Sequence, residues 1–325
     1  MTLQRLIPLA AGAAFLLVLP LVLGEGYHLH LLIMAAIFVI LAASLDLIVG
    51  VCGLLSLGHA AFFGIGAYTS ALLFLHFGLP MWGGMAAAAI MSATGAFLLG
   101  ILVLKVRGHR FVISTVAFAE ILRITAFNWT ELTHGQMGLP GILPPVIEIP
   151  GIGTIDLVSK VAFYYVAVTV ATISVLILRR IAHSPLGDAF AAVRENENLA
   201  ESVGVSVYRI AVTAFVIGGF FAGIAGSLYA HYMSFVGPDL FEFSYTMLIL
   251  VMVVMGGKGT IVGAALGALV FTLLPEYLRV AEAYRLVFFG GILIVAVLFF
   301  PRGLIEIFER LQRWVVRRGR GSANA

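Results

Sequence analysis

The sequence predicts an all-α polytopic membrane protein with about ten transmembrane helices and both termini in the cytoplasm. Three observations support this prediction. The 325 residues are 62% hydrophobic and 11% charged, with a mean hydropathy of +1.10, which is too apolar for a soluble domain. Apolar runs long enough to span a bilayer recur along the chain. Lysine and arginine concentrate in alternate connecting segments. We therefore treat residues 1–325 as a single transmembrane domain.

The apolar runs set the order of the predicted spans. The first run has the look of a signal peptide, but it is long enough to cross a bilayer, so we interpret it as an uncleaved span. The eighth and ninth runs are short and are separated by GGKGT, so we expect them to be broken or tilted. The ten predicted spans are 6–23, 29–50, 55–76, 82–104, 111–128, 158–178, 210–232, 244–256, 260–275 and 285–300.

The distribution of positive charge predicts how these spans are oriented. With the N-terminus inside, 15 of the 19 lysine and arginine residues fall in cytoplasmic segments, which is the side that positive charge prefers. The outside set is Lys160, Arg279 and Arg285, while Arg123 lies within a span. An odd number of spans would remove this asymmetry. The cytoplasmic set is Arg5, Lys105, Arg107, Arg110, Arg179, Arg180, Arg194, Arg209, Lys258, Arg302, Arg310, Arg313, Arg317, Arg318 and Arg320.

Two long connecting segments lie on opposite sides of the membrane in this topology. The segment 129–157 is rich in proline and carries acidic residues, and it faces outside. The segment 179–209 faces the cytoplasm and has the pattern of a helix. A serine followed by Pro185 is a helix-start signal, and Gly204 is a helix-stop signal. We therefore predict one cytoplasmic helix over Leu186–Val203, outside the membrane.

The remaining motifs argue against an enzyme or a nucleic-acid-binding protein. The sequence MGGKGT lacks the serine or threonine that a phosphate-binding loop needs after Lys258. The sequence also has no zinc-protease motif, no nucleophile elbow and no cysteine cluster. The basic segment 305–325 is interpreted as a cytoplasmic tail that anchors to membrane lipid. These features predict a transport protein that uses no metal and no cofactor of its own.

The stretch GLLSLGHAAFFGIGAY at 53–68 concentrates glycine, serine and histidine in an apolar region. On a helix, steps of three and four place its residues on two neighbouring faces. We predict that the small face packs against another helix, because small residues allow close helix approach in membranes. The polar face is a candidate wall of a translocation path, although it could instead satisfy backbone groups at a helix break. The polar face holds Ser56, His59, Phe63, Gly66 and Ser70, and the small face holds Ala60, Gly64, Ala67 and Ala71.

Two carboxylates, Asp46 and Glu120, fall inside predicted spans. Acids buried in a membrane are functional candidates because they are costly to keep there. Glu120, however, precedes Arg123 by three residues on one helix face, so an internal ion pair explains it equally well. We include Glu120 among the candidate path residues and assign no proton relay to either acid.

Several motifs together resemble the branched-chain amino-acid ABC importer permeases, specifically the M-type subunit. The resemblance extends from about Leu41 to Leu304, with the motifs in the expected order. Asp46 is a departure, because the family often has asparagine there. The motifs are SLDLIVGVCGLLSLGHAAFFGIGAYTSALL, VRGHRFVISTVAFAEILRI, NWTELTHGQMGLPGI, SPLGDAFAAVRENENLAESVGVSVYRIAVTAFVIGGFFAGIAGSLYAHY, MVVMGGKGTIVGAALGAL, LLPEYLR and FPRGL.

The resemblance implies one permease subunit of an uptake system in a prokaryotic plasma (inner) membrane. Its partners would be a second homologous permease subunit, two cytoplasmic ATP-binding subunits and an external substrate-binding protein. ATP would be bound by those partners and not by this chain. The substrate would be leucine, isoleucine or valine, moved inward by alternating access. A permease for urea or short amides is the main alternative, and an ion-coupled secondary transporter is a further one.

The resemblance also implies that the segment 179–209 is the cytoplasmic coupling loop. A small amphipathic helix suits a groove on a partner, where apolar residues supply affinity and charges set the register. We expect the contacts with the ATP-binding subunits to come from Ala192, Arg194, Glu195, Glu197, Ala200, Glu201 and Gly204.

Overall fold

The computed structural model of the chain is almost entirely helical. It describes residues 26–104, 108–144, 146–149, 153–156 and 159–277, with Pro20, Gly303, Leu304 and Glu306. The predicted spans 6–23 and 285–300 and the tail 305–325 lie outside the described residues, apart from these isolated positions. The helices are α1 (Tyr27–Asp46), α2 (His59–Phe77), α3 (Met81–Val103), α4 (His109–Asn128), α5 (Thr130–Thr133), α6 (Lys160–Ala182), α7 (Pro185–Glu195), α8 (Glu197–Ser202), α9 (Val207–Met233), α10 (Phe243–Gly257) and α11 (Ile261–Tyr277).

Helix α1 is the centre of the bundle. It is continued by a π-helical turn over Leu47–Val51, and 89% of its most apolar stretch is buried inside the chain. Helices α6, α9, α10 and α11 all pack against it. A helix that is buried on every side must be apolar on every side, which explains why this run shows no amphipathic pattern.

The span count is partly supported. Among the described residues, six helices are long and apolar enough to cross a membrane: α1 with its π-helical turn, α2, α3, α4, α6 and α9. Helices α10 and α11 pass the same test only together, and they are bent by 118° at the break between them. The two short apolar runs therefore form a bent pair, as their lengths predicted. The count of ten and the position of the termini stay predictions.

Helices α2, α3 and α9 form a closely packed group because glycine and alanine line their contacts. At Gly223 on α9, an added Cβ would lie 2.5 Å from the carbonyl oxygen of Ala88 on α3. At Gly226, an added Cβ would lie 2.6 Å from the backbone nitrogen of Ala67 on α2. Dispersion contacts between backbones replace a hydrophobic driving force in lipid, so these small residues hold the three helices together.

The segment 129–157, predicted as a loop, contains short structured pieces. After α5 come a 3-10 turn over Gly135–Met137 and two small antiparallel sheets. In one sheet, β1 (Leu139–Pro140) pairs with β4 (Phe235–Val236), which follows α9; a second 3-10 turn, Pro238–Phe241, follows β4. In the other, β2 (Val146–Ile149) and β3 (Gly153–Asp156) form a hairpin. The part of the chain that the structure describes is therefore all-α apart from these strands.

The segment 179–209, predicted to face the cytoplasm, differs from its prediction in one respect. The single helix predicted over Leu186–Val203 is two helices, α7 and α8, because Asn196 between them is extended (φ −161°, ψ 107°). The side-chain oxygen of Asn196 accepts a hydrogen bond from the Leu199 N–H at 3.0 Å, so Asn196 is the N-cap of α8. Gly204 has φ +88°, the left-handed conformation expected after a helix end.

Candidate functional site

The polar face predicted at 53–68 is only partly helical. Helix α2 begins at His59, and the residues from Cys52 to Gly58 are irregular, with Gly53 at φ +82°. Ser56 therefore lies before the helix and not on its face, which corrects the helical placement predicted for it. This irregular stretch is partly enclosed by the rest of the chain, since Cys52, Ser56 and Gly58 are buried while Gly53 and Leu55 are exposed.

His59 is fully buried and bonded to the central helix. The Ser44 hydroxyl donates to the Leu41 carbonyl at 2.8 Å, and the Ser44 oxygen lies 2.8 Å from His59 Nε2. Because the only hydroxyl proton of Ser44 is used by Leu41, we assign the proton of a neutral His59 to Nε2. Within the described residues, His59 Nδ1 and the Ser56 hydroxyl are buried without hydrogen-bond partners.

Ser70 belongs to a directed hydrogen-bond chain between α2 and α9. The Ser70 oxygen lies 2.7 Å from that of Ser227 and 3.2 Å from His231 Nε2. His231 Nδ1 lies 2.9 Å from the Leu143 carbonyl, which can only accept. His231 must therefore carry its proton on Nδ1 and accept from Ser70 at Nε2, which leaves Ser227 to donate to Ser70.

The other candidates on α2 are held by apolar contacts. Phe63 is buried, with its ring centre 5.3 Å from that of Tyr229 and 6.2 Å from that of Tyr245. Gly66 faces the backbone of Gly223, and Gly64 faces the Phe241 ring. The small-face residues are all buried within the chain and comprise Ala60, Gly64, Ala67 and Ala71. The role of these residues in transport stays a prediction.

Glu120 is paired with Arg123 on α4. Arg123 Nη2 lies 2.6 Å from Glu120 Oε1, and Arg123 Nε lies 2.9 Å from Oε2, so the contact is bidentate. Both side chains are partly exposed on the helix surface. The ion-pair interpretation therefore accounts for Glu120 without a proton-relay role.

The helices α7 and α8, in the segment predicted to be cytoplasmic, have a buried and an exposed face. Phe190, Val193 and Ala200 are buried against the chain itself, with Ala200 only 2% exposed. The prediction that Ala200 contacts a partner is therefore wrong, because its side chain packs inside this chain. The large apolar side chains that are exposed here are Leu199 at 63% and Val203 at 71%. The remaining predicted contacts range from half-buried to exposed and are Ala192, Arg194, Glu195, Glu197, Glu201 and Gly204.

A junction that the sequence did not predict joins three distant segments at the end of α1. Asp46 Oδ1 accepts a hydrogen bond from the Gly259 N–H at 2.7 Å, and Arg194 Nη1 donates to the Gly50 carbonyl at 3.1 Å. The sequence offered one signal for this junction, which is an acid, Asp46, within an apolar run. Its partner could not be predicted, because it lies 213 residues away in the chain.

A cavity of about 250 Å³ lies among α1, α6, α9 and the segment before β2. It carries one lysine and two histidines beside aromatic side chains. None of the residues predicted to form a translocation path contributes to its lining. The lining residues are His30, Pro144, Lys160, Phe163, His231, Tyr232 and Met233.

Comparison with known families decides the class of this helical bundle. The family described as "Branched-chain amino acid transport system / permease component" matches residues 27–297, which is most of the chain. The chain belongs to this family. It is therefore a membrane transport permease, and the match covers the bundle, both long connecting segments and the bent pair.

The relatives of the permease agree with this assignment. It is 36% identical over 292 residues to the "High-affinity branched-chain amino acid transport system permease protein LivM" of Salmonella typhimurium, covering 84% of this chain and 69% of the relative. The LivM protein of Escherichia coli is also 36% identical, over 289 residues, covering 83% of this chain and 68% of that protein. The LivH permease protein of Escherichia coli is 25% identical over 285 residues, covering 82% and 91%. No solved structure matches the permease.

Proposed function

We propose that the chain is a permease subunit of an ABC importer for leucine, isoleucine and valine in a prokaryotic inner membrane. The observation that carries this proposal is the 36% identity to two LivM permease proteins across most of the chain. The bundle supports it, because a chain of long apolar helices with a structured connecting segment suits a membrane subunit driven by other proteins. Substrate would move inward by alternating access.

A second, homologous permease subunit completes the proposed pore. The chain resembles LivH as well as LivM, so the two named permease proteins share a common sequence pattern. Homologous subunits pair with pseudo-twofold symmetry, which places equivalent helices on both sides of one path. Because Ser56, His59, Phe63 and Ser70 are buried within this chain, we propose that they support the wall of that path.

The exposed face of α7 and α8 is the proposed docking surface for a cytoplasmic ATP-binding subunit. Leu199 and Val203 are four residues apart and largely exposed, as apolar anchors for a groove would be. Glu195 and Glu201 lie near them and would set the register through charge. We propose an external substrate-binding protein as a further partner, with the segment 129–157 as its contact.

The test is uptake by the complete transporter. The chain would be co-expressed with the second permease, the two ATP-binding subunits and the binding protein of its own organism, and reconstituted in proteoliposomes. Labelled leucine should accumulate only when ATP is present and when this chain is included. Uptake that continues without ATP hydrolysis would indicate an ion-coupled carrier. Uptake of urea or a short amide without competition by leucine would contradict the assignment of branched-chain amino acids as the substrate.

A further inference from the structure

The C-terminal end of α1 is the meeting point of three segments that are far apart in sequence. Arg194 reaches it from the cytoplasmic helix α7, and Gly259 reaches it from the turn between α10 and α11. Both bonds end within five residues of one another, at Gly50 and at Asp46. The surrounding packing agrees, because α7 contacts the π-helical turn as well as α6 and α9.

The Arg194 bond has a clear electrostatic role. Gly50 lies in the last turn of the helical run, where backbone carbonyls lack partners within the helix and carry partial negative charge. The guanidinium of Arg194 supplies both a donor and a positive charge at this helix end. The guanidinium of Arg194 therefore contacts the membrane helices, although part of the side chain remains exposed. The ATPase contact predicted for Arg194 stays an expectation, and this bond is a contact within the chain.

The segments approach so closely that glycine is required at each crossing. A Cβ added to Gly50 would collide with the Gly259 nitrogen and with Asp46 Oδ1. Gly53, at φ +82°, lies against the Arg194 side chain, and an added Cβ would be 2.6 Å from Arg194 Cγ. Because no atoms lie between the segments, movement of one displaces the others directly.

Asp46 completes the junction. The side chain is fully buried, one oxygen is bonded to Gly259, and the other has no hydrogen-bond partner among the described residues. Burying a carboxylic acid in apolar surroundings costs free energy, and the hydrogen bond to the α10–α11 turn offsets part of that cost. Breaking this bond is therefore strongly unfavourable. Asp46 therefore fixes the turn to the end of α1.

We infer that Arg194 is a positioning residue that transmits movement of α7 to the end of α1 and, through Asp46, to the bent pair α10–α11. The inference rests on the proposed function, because it requires ATP-binding subunits to act on α7 and α8. It assigns to the junction the step between ATP hydrolysis and rearrangement of the membrane helices. Loss of the junction should leave hydrolysis running while less substrate moves per ATP.

The first test compares Arg194→Ala with Arg180→Ala in the reconstituted transporter. Arg180 is an exposed arginine at the end of α6 and serves as the matched control. We expect Arg194→Ala to lower substrate moved per ATP about ten-fold, the order expected for losing one hydrogen bond to a charged group. Arg194→Lys, which keeps the charge and a donor, should recover part of the ratio. An unchanged ratio in Arg194→Ala, or loss of ATPase binding by that variant alone, would overturn the inference.

The second test does not depend on which substrate is transported. Hydrogen exchange would be followed in the complete complex with and without a trapped nucleotide. In the wild type, exchange at 46–54 and at 257–261 should change together with exchange at α7. In Arg194→Ala and in Asp46→Ala, which removes the acceptor of the Gly259 N–H, α7 should still respond while 257–261 no longer does. A response at 257–261 that survives both substitutions would refute the role of the junction. A wild type that exchanges as expected but transports no branched-chain amino acid would refute only the proposed substrate.

Discussion

Gly66 on α2 lies against Gly223 on α9 with no space for a side chain between the two backbones. A Cβ added to Gly66 would lie 2.5 Å from both the Cα and the carbonyl oxygen of Gly223. The three atoms nearest to a Cβ added at Gly64, on the neighbouring face of α2, all belong to the ring of Phe241. A ring can shift, but a backbone in a packed helix cannot, so the two glycines differ in what they require.

Gly66→Ala should therefore destabilise the permease more than Gly64→Ala. We expect a loss of about 1–3 kcal/mol for Gly66→Ala, as for other overpacked sites. Gly100→Ala on α3 is the control, because its added Cβ would lie 3.4 Å from the nearest atom, an ordinary contact. Thermal unfolding of the purified complex in detergent measures the effect. Equal stability of Gly66→Ala and Gly100→Ala would show that the α2–α9 contact is looser than described.

The predicted topology is tested by cysteine labelling at Gln136 and Asn198. Both positions are exposed, and the charge distribution places them on opposite sides of the membrane. The native Cys52 should stay unlabelled, because burial, with a smaller effect of Glu197, raises the pKa of its thiol to about 12 and leaves no thiolate at neutral pH. An impermeant reagent added outside should label Gln136→Cys only. Labelling of both positions from one side would contradict the ten-span topology.

The long helices of this fold could be predicted because each one contains a continuous apolar run. The run at 55–76 locates α2, and the GGKGT interruption locates the bend between α10 and α11. The break at Asn196 also had a local signal, since asparagine is a favoured N-cap. A single helix is nevertheless predicted through Asn196, because the residues on both sides of it also have a helical pattern.

The contacts between helices could not be predicted in the same way. Asp46 and Gly259, or Ser70 and His231, are joined by packing that no local pattern encodes. A small residue such as Ala200 is equally compatible with a docking face and with a buried face, and only the tertiary structure shows that it is buried.

Docking of the ATP-binding subunit should depend on Leu199 and Val203. We expect Leu199→Asp and Val203→Asp each to prevent co-purification of that subunit, because a charge replaces an apolar anchor in a desolvated groove. Asn198→Asp is the control, since it adds the same charge at an exposed neighbouring position and removes no apolar contact. The second permease should remain bound in all three variants. Normal ATPase binding by both anchor variants would place the docking surface elsewhere.

Glu120→Gln distinguishes an ATP-driven permease from an ion-coupled carrier. Glu120 pairs with Arg123 at a partly exposed site, and such pairs contribute about 0–1 kcal/mol. We therefore expect leucine uptake within about five-fold of the wild type, the change that corresponds to a loss of about 1 kcal/mol. Uptake would be measured in proteoliposomes with ATP, with and without a proton gradient. Loss of gradient-dependent uptake in Glu120→Gln would instead support ion coupling through this carboxylate.

Ser70→Ala should weaken the contact between α2 and α9 and destabilise the permease more than its small change in volume suggests. The substitution removes the hydroxyl that donates to His231 Nε2, and it leaves this buried nitrogen without the donor that it has in the wild type. An unsatisfied buried acceptor costs about 1–3 kcal/mol, so the melting temperature of the permease should fall accordingly. Thr69→Ala is the matched control, because the Thr69 hydroxyl bonds only to the Ile65 carbonyl of its own helix. An equal fall in both variants would show that the Ser70–His231 bond does not hold the two helices together.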